Sequence, residues 1–168
     1  IFGVAFGNNT FVGVTNNSPG NIVRSTDNGS SWDNATSPTG KFLFGVTFGN
    51  NTFVGVGQLG TIVRSTDNGS TWDNATSPTA NNLSWGVGFG NNTFVGGGAS
   101  GLIVRSTDNG STWDNVTSPT GNDLYGVTFA NNAFVGVGLS GNIVRSIDNG
   151  TTWDNVTSPT ANTLRGVG

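Results

Sequence analysis

The chain has 168 residues and a net charge of −3, from six basic and nine acidic side chains, and all nine acids are aspartates. It contains no cysteine, methionine, histidine or glutamate, so disulfide bonds, thiolate metal ligands and the histidine base of most neutral-pH enzymes are excluded. No basic stripe offers a surface for nucleic acid, and no apolar run reaches the ~18 residues that a membrane-spanning helix needs.

Residues 43–82 carry one complete repeat, in which strand and turn signals alternate. Residues 43–48 alternate large and small side chains, which predicts a β-strand. Further strands are expected at 52–56, 61–65 and 70–76. The Asn68-Gly69 pair between the last two strands supplies the positive φ angles that a tight hairpin turn requires.

The motif Ser-x-Asp-x-Gly-x-x-Trp occurs four times, ending at Trp32, Trp72, Trp113 and Trp153, so the period is 40 or 41 residues. Four short strands in each period predict an all-β fold, a β-propeller of four-stranded antiparallel blades. A helical solenoid is excluded because no apolar pattern of helical period is present, and a β-helix is the structural alternative. The expected units are blade 1 at 1–42, blade 2 at 43–83, blade 3 at 84–123, blade 4 at 124–163, and the start of a further blade at 164–168.

Two recurring positions predict the packing in more detail. Glycine recurs at one point of the first strand of each unit, where blades crowd around the propeller axis. These glycines are Gly3, Gly45, Gly86, Gly126 and Gly166. An arginine before each motif and the aspartate after its tryptophan fall opposite each other if the hairpin turn centres on Asn-Gly. The expected cross-strand pairs are Arg24–Asp33, Arg64–Asp73, Arg105–Asp114 and Arg145–Asp154.

The repeated motif resembles the Asp-box, or bacterial neuraminidase repeat. The stretch from Gly45 to Val56, with Ile62 to Trp72 after it, is similar to repeats of photosystem II assembly-factor-like propellers, which also occur in bacterial and archaeal surface proteins. The resemblance covers the whole chain and implies that the motif is a fold element, in which the aspartate caps the turn and the tryptophan packs between blades. The implied structural residues are Asp27, Gly29, Trp32, Asp67, Gly69, Trp72, Asp108, Gly110, Trp113, Asp148, Gly150 and Trp153.

The family that carries this motif includes sialidases, other glycosidases, sorting receptors and assembly factors, so the fold does not name a function. A sialidase would need a tyrosine nucleophile with a glutamate partner, but Tyr125 is the only tyrosine and glutamate is absent. Other glycosidases need two carboxylates, and Asp123 is the only aspartate outside the repeated pattern. We therefore expect a protein that is not an enzyme and has no cofactor and no metal site.

The four repeats differ mainly in two loops, which join the second strand to the third and one blade to the next. The residue before the inner glycine also varies and is aromatic in most repeats. These positions could form a face that binds a sugar or a peptide. The candidate residues are Lys41, Phe44, Asn82, Trp85, Asp123, Tyr125 and Arg165. Alternatively, the loop sequences vary without a functional role, and the aromatic side chains only fill the space at the inner end of each blade.

Asn-x-Ser/Thr sequences recur along the chain and are potential N-glycosylation sites in a secreted protein. Those in the tight turn are explained by the turn itself. Asn16 also has this sequence, and the candidates singled out among the rest are Asn34, Asn74, Asn115, Asn155, Asn8, Asn50 and Asn91.

Residues 164–168 repeat the start of a first strand, so we expect the molecule to continue or several copies to combine into a ring or filament. The leading interpretation is a non-catalytic secreted or cell-surface propeller with a structural or self-assembling role, open to glycosylation, whose partners are copies of itself or further blades. The alternatives are a lectin-like or protein-binding module that uses the variable loops, and a photosystem-type assembly factor.

Overall fold

The computed structural model of the chain describes residues 1–15 and 22–168, and the side chain of Trp85 lies outside that description. The described residues form four antiparallel sheets of four strands, and in each sheet the strands are paired in chain order. Blade 1 contains β1 (Gly3–Gly7), β2 (Thr10–Val14), β3 (Ile22–Ser25) and β4 (Asp33–Ala35). Blade 2 contains β5 (Leu43–Gly49), β6 (Thr52–Gly57), β7 (Ile62–Ser65) and β8 (Asp73–Asn74). Blade 3 contains β9 (Leu83–Gly90), β10 (Thr93–Gly98), β11 (Ile103–Ser106) and β12 (Asp114–Val116). Blade 4 contains β13 (Leu124–Ala130), β14 (Ala133–Gly138), β15 (Ile143–Ser146) and β16 (Asp154–Val156). The predicted β-propeller fold of four-stranded antiparallel blades is confirmed.

The outermost strand of each blade is shorter than predicted. In blade 2 the expected strand at 70–76 is reduced to Asp73–Asn74. Residues before Asp73 belong to the turn instead, because the Asp67 carboxylate accepts the Thr71 N–H and holds the chain away from β7. The hairpin positions themselves are as expected, since Asn68 and Gly69 have φ angles of 58° and 76°.

The core lies between successive sheets. We call the interface between two successive blades a joint. In the joint between blades 1 and 2, Trp72 of blade 2 is buried in a cluster with Val12, Val14 and Ile22 of blade 1. Trp113 lies in the equivalent cluster between blades 2 and 3, and Trp153 in the one between blades 3 and 4. We call the face of a blade that packs on the preceding blade its front face, and the opposite face its rear face. Each of these tryptophans therefore belongs to a front face.

The inner strands pack in sequence, β1 on β5, β5 on β9 and β9 on β13. A Cβ added to Gly86 would lie 2.9 Å from the backbone nitrogen of Val127, which is too close for a side chain. Residues 164–168 lie along β13 in the same manner, because a Cβ on Gly126 would be 3.1 Å from the Cα of Gly166. The crowding predicted for the inner glycines is therefore present at Gly3, Gly86 and Gly126, whereas nothing in the described chain lies within 4 Å of a Cβ at Gly166.

The predicted Arg–Asp register is correct, but the charge pairing is not made. Arg24 pairs with Asp33, and the equivalent pairs recur in the other three blades. No arginine–carboxylate ion pair within 4 Å occurs in the part of the chain that the structure describes. The Arg105 side chain instead reaches the next blade, where its Nε donates to the Asn149 carbonyl at 2.8 Å. The Arg105 side chain thus stabilises the joint between blades 3 and 4 rather than its own hairpin.

Candidate functional site

The four motif turns are held by their aspartates. We call residues 25–32, 65–72, 106–113 and 146–153 the tryptophan turns. In the first, Asp27 accepts hydrogen bonds from the Ser25 hydroxyl at 2.7 Å, from the Ser31 N–H at 2.9 Å and from the Ser31 hydroxyl at 2.6 Å. The Gly29 N–H donates to Ser25 Oγ, and the Trp32 indole N–H donates to the Gly29 carbonyl. The same bonds recur in the other three turns, so the carboxylate and the indole both stabilise the turn.

These hydrogen bonds favour the ionised carboxylate. The Ser31 hydroxyl, the Ser31 N–H and the Ser25 hydroxyl lower the pKa of Asp27 from 3.8 to about 2. Donors from Thr152 and Ser146 lower the pKa of Asp148 to about 2 in the same way. For Asp67 and Asp108, partial burial favours the neutral acid, but the hydrogen bonds outweigh it and the pKa is still lowered. A carboxylate with a lowered pKa is a poor proton donor at neutral pH.

One tryptophan turn differs from the other three in its surroundings. The side chain of Trp32 is 39% exposed, whereas those of Trp72, Trp113 and Trp153 are 4–7% exposed. On the same front face of blade 1, Val4 and Phe6 are 53% and 54% exposed. The front face of blade 1 is thus an exposed apolar surface, made of positions that are covered by a neighbour in the other blades.

The variable residue before each inner glycine is a β-bulge in blades 2 to 4. Leu43 pairs with Gly57 and Gly45 with Val56, so the strand register shifts by one residue at Phe44. Tyr125 is the extra residue in blade 4, and a matching register shift occurs in blade 3. A bulge redirects its side chain relative to the sheet, which explains why these positions can vary without changing the strand pairing.

The structure brings together only some of the predicted ligand-face residues. The rings of Phe2 and Phe44 meet edge to face, with centroids 6.2 Å apart. At the other end, the Tyr125 hydroxyl donates to Asp123 Oδ2 at 3.4 Å, and Arg165 Cζ lies 6.0 Å from the Tyr125 ring centroid.

Asn82 and Asp123 have a second role that sequence reasoning missed. Asn82 Oδ1 accepts the N–H of Leu59 at 2.9 Å, and Asp123 Oδ1 accepts the N–H of Ser100 at 2.8 Å. Leu59 and Ser100 have φ angles of 54° and 56°, so these side chains hold strained short turns of the preceding blade. The Lys41 side chain is exposed, and the loop from Thr15 to Asn21 lies outside the described residues except for Thr15.

Most of the candidate glycosylation asparagines make contacts between blades. Their Nδ2 atoms donate to a proline carbonyl of the preceding blade: Asn74 to Pro38, Asn115 to Pro78 and Asn155 to Pro119, at 2.9–3.2 Å. Asn34 is the counterpart in blade 1, and its exposed side chain makes no hydrogen bond within the described chain.

The candidates in the other hairpins lie on a second row of asparagines. Asn8 Nδ2 donates to Asn51 and Asn68, and Asn50 Nδ2 donates to Asn109. The Asn91 carbonyl accepts from Asn149 Nδ2 at 3.4 Å. For the asparagines that donate to proline carbonyls, Asn74, Asn115 and Asn155, the signal available in the sequence was the near-constant spacing of 36–37 residues between the asparagine and the proline.

The described residues contain no group of three or more His, Cys, Asp or Glu side chains that could hold a metal ion. No helix among them is long and apolar enough to cross a membrane. Each tryptophan-turn aspartate lies in its own blade and is surrounded by its own serine and threonine donors. The arrangement thus gives four equivalent structural turns.

Comparison with solved structures identifies similar folds. One is a structure entitled "YCF48 bound to D1 peptide", with 18% identity, a TM-score of 0.66, and coverage of 94% of this chain and 52% of that chain. A second is the GH74 enzyme of Niastella koreensis, with 24% identity, a TM-score of 0.67, and coverage of 95% and 24%. A third is a nidogen/laminin complex, with 12% identity, a TM-score of 0.75, and coverage of 96% and 66%.

The chain thus spans between 24% and 66% of the length of these three structures. No protein-family model matches the sequence, and no curated protein matches it. At these identities the likeness concerns the fold alone, and the fold is that of a β-propeller.

Proposed function

We propose that this chain is a non-catalytic, secreted or cell-surface structural propeller of the Asp-box kind, which assembles by adding blades of its own type. In this proposal the front face of blade 1 packs on the rear face of blade 4 of a second copy. The copies then continue the stack of blades as a ring or a filament.

One observation carries this proposal, namely the exposed front face of blade 1. Trp32, Phe6 and Val4 are exposed, although the same positions in the other blades pack on a preceding blade. Asn34 lies on the same face, and its counterparts all donate to a proline carbonyl across a joint. The chain's own three joints thus supply the template for the partner, which is another blade of this repeat.

The same geometry argues against catalysis. The four tryptophan-turn aspartates accept several hydrogen bonds each, and the lowered pKa of each one favours a permanently ionised structural carboxylate. The remaining repeated aspartates lie on the outermost strands, one in each blade. A glycosidase would need two acids brought to one place, with one of them kept protonated.

Sedimentation velocity over a range of concentrations tests the assembly. We expect the 168-residue chain to self-associate reversibly and the Trp32→Ala variant to associate at least about tenfold more weakly, as for a central interface tryptophan. Ile147→Thr is the matched control, because Ile147 is exposed and the other repeats carry exposed threonines at this position. A chain that stays monomeric at every concentration would contradict the proposal.

Surface location and glycosylation form a separate part of the proposal. Asn34 is exposed and its side chain makes no hydrogen bond to the described residues of the free chain, but it lies on the front face of blade 1, so a glycan there would compete with the packing of a second copy. The intact mass of the native material, measured before and after enzymatic deglycosylation, tests this part. A mass that does not change on treatment would remove the glycan from the proposal and leave the assembly untouched.

A second candidate function is protein or peptide binding at the bulge residues, as in a photosystem-type assembly factor. The bulges at Phe44 and Tyr125 favour it, because they place a different aromatic side chain in each of these two blades at the same end of the first strand. One similar structure is described as bound to a peptide and another as a complex with laminin. A peptide-array screen with the Phe44→Ser variant, and Phe42→Ser as its control, would test it. Binding that the Phe44 change leaves intact would count against this site.

A further inference from the structure

The rear face of blade 4 differs from the other three rear faces at one cross-strand pair. In blades 1 to 3 a glycine at the end of the first strand faces a threonine at the start of the second. The pairs are Gly7–Thr10, Gly49–Thr52 and Gly90–Thr93. In blade 4 the pair is Ala130–Ala133. Both members of the pair have changed together.

The glycine of this pair makes room for the next blade. The Phe48 ring lies against Gly7, Phe89 against Gly49 and Phe129 against Gly90, so closely that a Cβ on any of these glycines would overlap the ring. Ala130 carries that Cβ. The counterpart of these phenylalanines at the front of a second copy is Phe6, which is exposed. Phe6 can therefore not seat on blade 4 as its counterparts seat on blades 1 to 3.

In two of the three internal joints, the threonine of the pair accepts a hydrogen bond from the next blade. Asn109 Nδ2 donates to Thr52 Oγ1 at 2.5 Å, and Asn149 Nδ2 donates to Thr93 Oγ1 at 2.6 Å. The corresponding donor at the front of a second copy is Asn28. Ala133 offers it no acceptor, so this bond is absent from a joint between copies.

Residues 164–168 add a third difference. They lie along β13, with the Leu164 N–H donating to the Gly138 carbonyl at 3.0 Å. In the internal joints this place belongs to the inner strand of the next blade. Gly166-Val167 repeats Gly3-Val4, so the β1 strand of a second copy that approaches β13 meets this segment in the place it would occupy.

We infer that the rear face of blade 4 is an acceptor for blade 1 of a second copy. It is weakened relative to the internal joints by Ala130, by Ala133, which lacks the acceptor present in two of those joints, and by the segment 164–168. The apolar remainder of the acceptor is retained, since Val135 and Ile143 occupy the positions of Val12 and Ile22 and are only half-buried. Association between copies is then reversible, whereas the internal joints stay closed. This inference rests on the assembly proposed above.

The test restores the pair found in the other blades. Sedimentation velocity compares the full chain with the Ala130→Gly/Ala133→Thr variant, and Ala161→Gly serves as a control for the added glycine. A recovered hydrogen bond tightens association by about two- to tenfold, and we expect the relieved overlap with Phe6 to add to this. Ala161→Gly should leave association unchanged, because other repeats carry glycine at this exposed loop position.

A second-site variant identifies the contact. Asn28→Gly keeps the positive φ of 59° at this turn and removes the donor, so the gain from Ala133→Thr should disappear in the Asn28→Gly background. If the restored pair fails to tighten association, or its gain survives Asn28→Gly, the inference is wrong. A wild-type chain that associates through Trp32 would in that case still support the proposed function. If wild type and restored variant both stay monomeric, the inference and the proposed function fail together.

Discussion

The ring of Phe48 lies directly against Gly7 of the preceding blade, and the same contact recurs at Gly49 and Gly90. A side chain at these glycines would force the next blade away from its position. We expect Gly49→Ala to destabilise the chain by about 1–3 kcal/mol, as other overpacked sites do. Equilibrium urea unfolding measures the change.

Gly40→Ala is the matched control for this change. Nothing lies within 4 Å of a Cβ at Gly40, so alanine there should be neutral or slightly stabilising. Equal free energies of unfolding for the two variants would mean that the phenylalanine contact does not fix the spacing of the blades.

The tryptophans should differ sharply in their contribution to stability. Trp72→Ala removes a buried ring from the joint between blades 1 and 2, and we expect it to cost about 3–5 kcal/mol of unfolding free energy. Trp32→Ala, measured at a concentration where the chain is monomeric, should cost much less because this ring is half-exposed. Similar losses for both variants would contradict the assignment of the front face of blade 1 as exposed in the free chain.

The lowered pKa values of the tryptophan-turn aspartates predict acid sensitivity. A group whose folded pKa is depressed contributes stability above its unfolded value, near 3.8, and loses it as pH falls through the folded value of about 2. Stability should therefore be nearly constant from neutral pH down to about pH 5 and should fall between pH 4 and pH 2.

Thermal unfolding at a series of pH values measures this dependence. Asp27→Asn should lower the melting temperature at pH 7 and flatten the fall below pH 4, because one of the responsible groups is gone. Asp33→Asn, a change at the exposed aspartate that follows Trp32, serves as the control. A full acid-dependent fall in the Asp27→Asn variant would assign the effect to other groups.

The asparagines that donate to proline carbonyls should stabilise the joints between blades. Asn155→Ala removes the 2.9 Å bond to the Pro119 carbonyl and should cost about 0.5–1.5 kcal/mol. Asn34→Ala makes the same chemical change where no such bond exists in the free chain, so its effect on unfolding should be near zero. A comparable loss at Asn34 would show that the side chain acts within its own blade.

The sequence was sufficient to predict the blades because strand, turn and motif recur in register. The position of Arg24 opposite Asp33 followed from centring the hairpin on Asn28-Gly29, and it holds although residues 26–32 form a longer turn than the sequence predicted. The ion pair did not follow, because a long arginine side chain can reach either its own hairpin or the next blade. Arg105 donates to the next blade at Asn149.

The contacts across the joints between blades could not be predicted from the sequence of a single repeat. Asn155 has the sequence of a glycosylation site, and only the stacking of the blades places it next to the Pro119 carbonyl. The bulge at Phe44 was likewise hidden, because alternation within residues 43–48 predicts an unbroken strand. The difference between Ala130 and its glycine counterparts could be read from the sequence, but its meaning depended on the ring packed against Gly90.

The most direct measurement of the assembly is a disulfide trap, which is clean because the chain has no cysteine. Thr93→Cys with Asn149→Cys places two thiols at an internal joint, where the native side chains are 2.6 Å apart, and should give an intramolecular disulfide and a covalent monomer. Ala133→Cys with Asn28→Cys places the same pair at the joint between copies. The account predicts covalent dimers and larger multimers under mild oxidation. If the internal pair closes while the second pair yields only monomers, blade 1 does not pack on blade 4 of another copy.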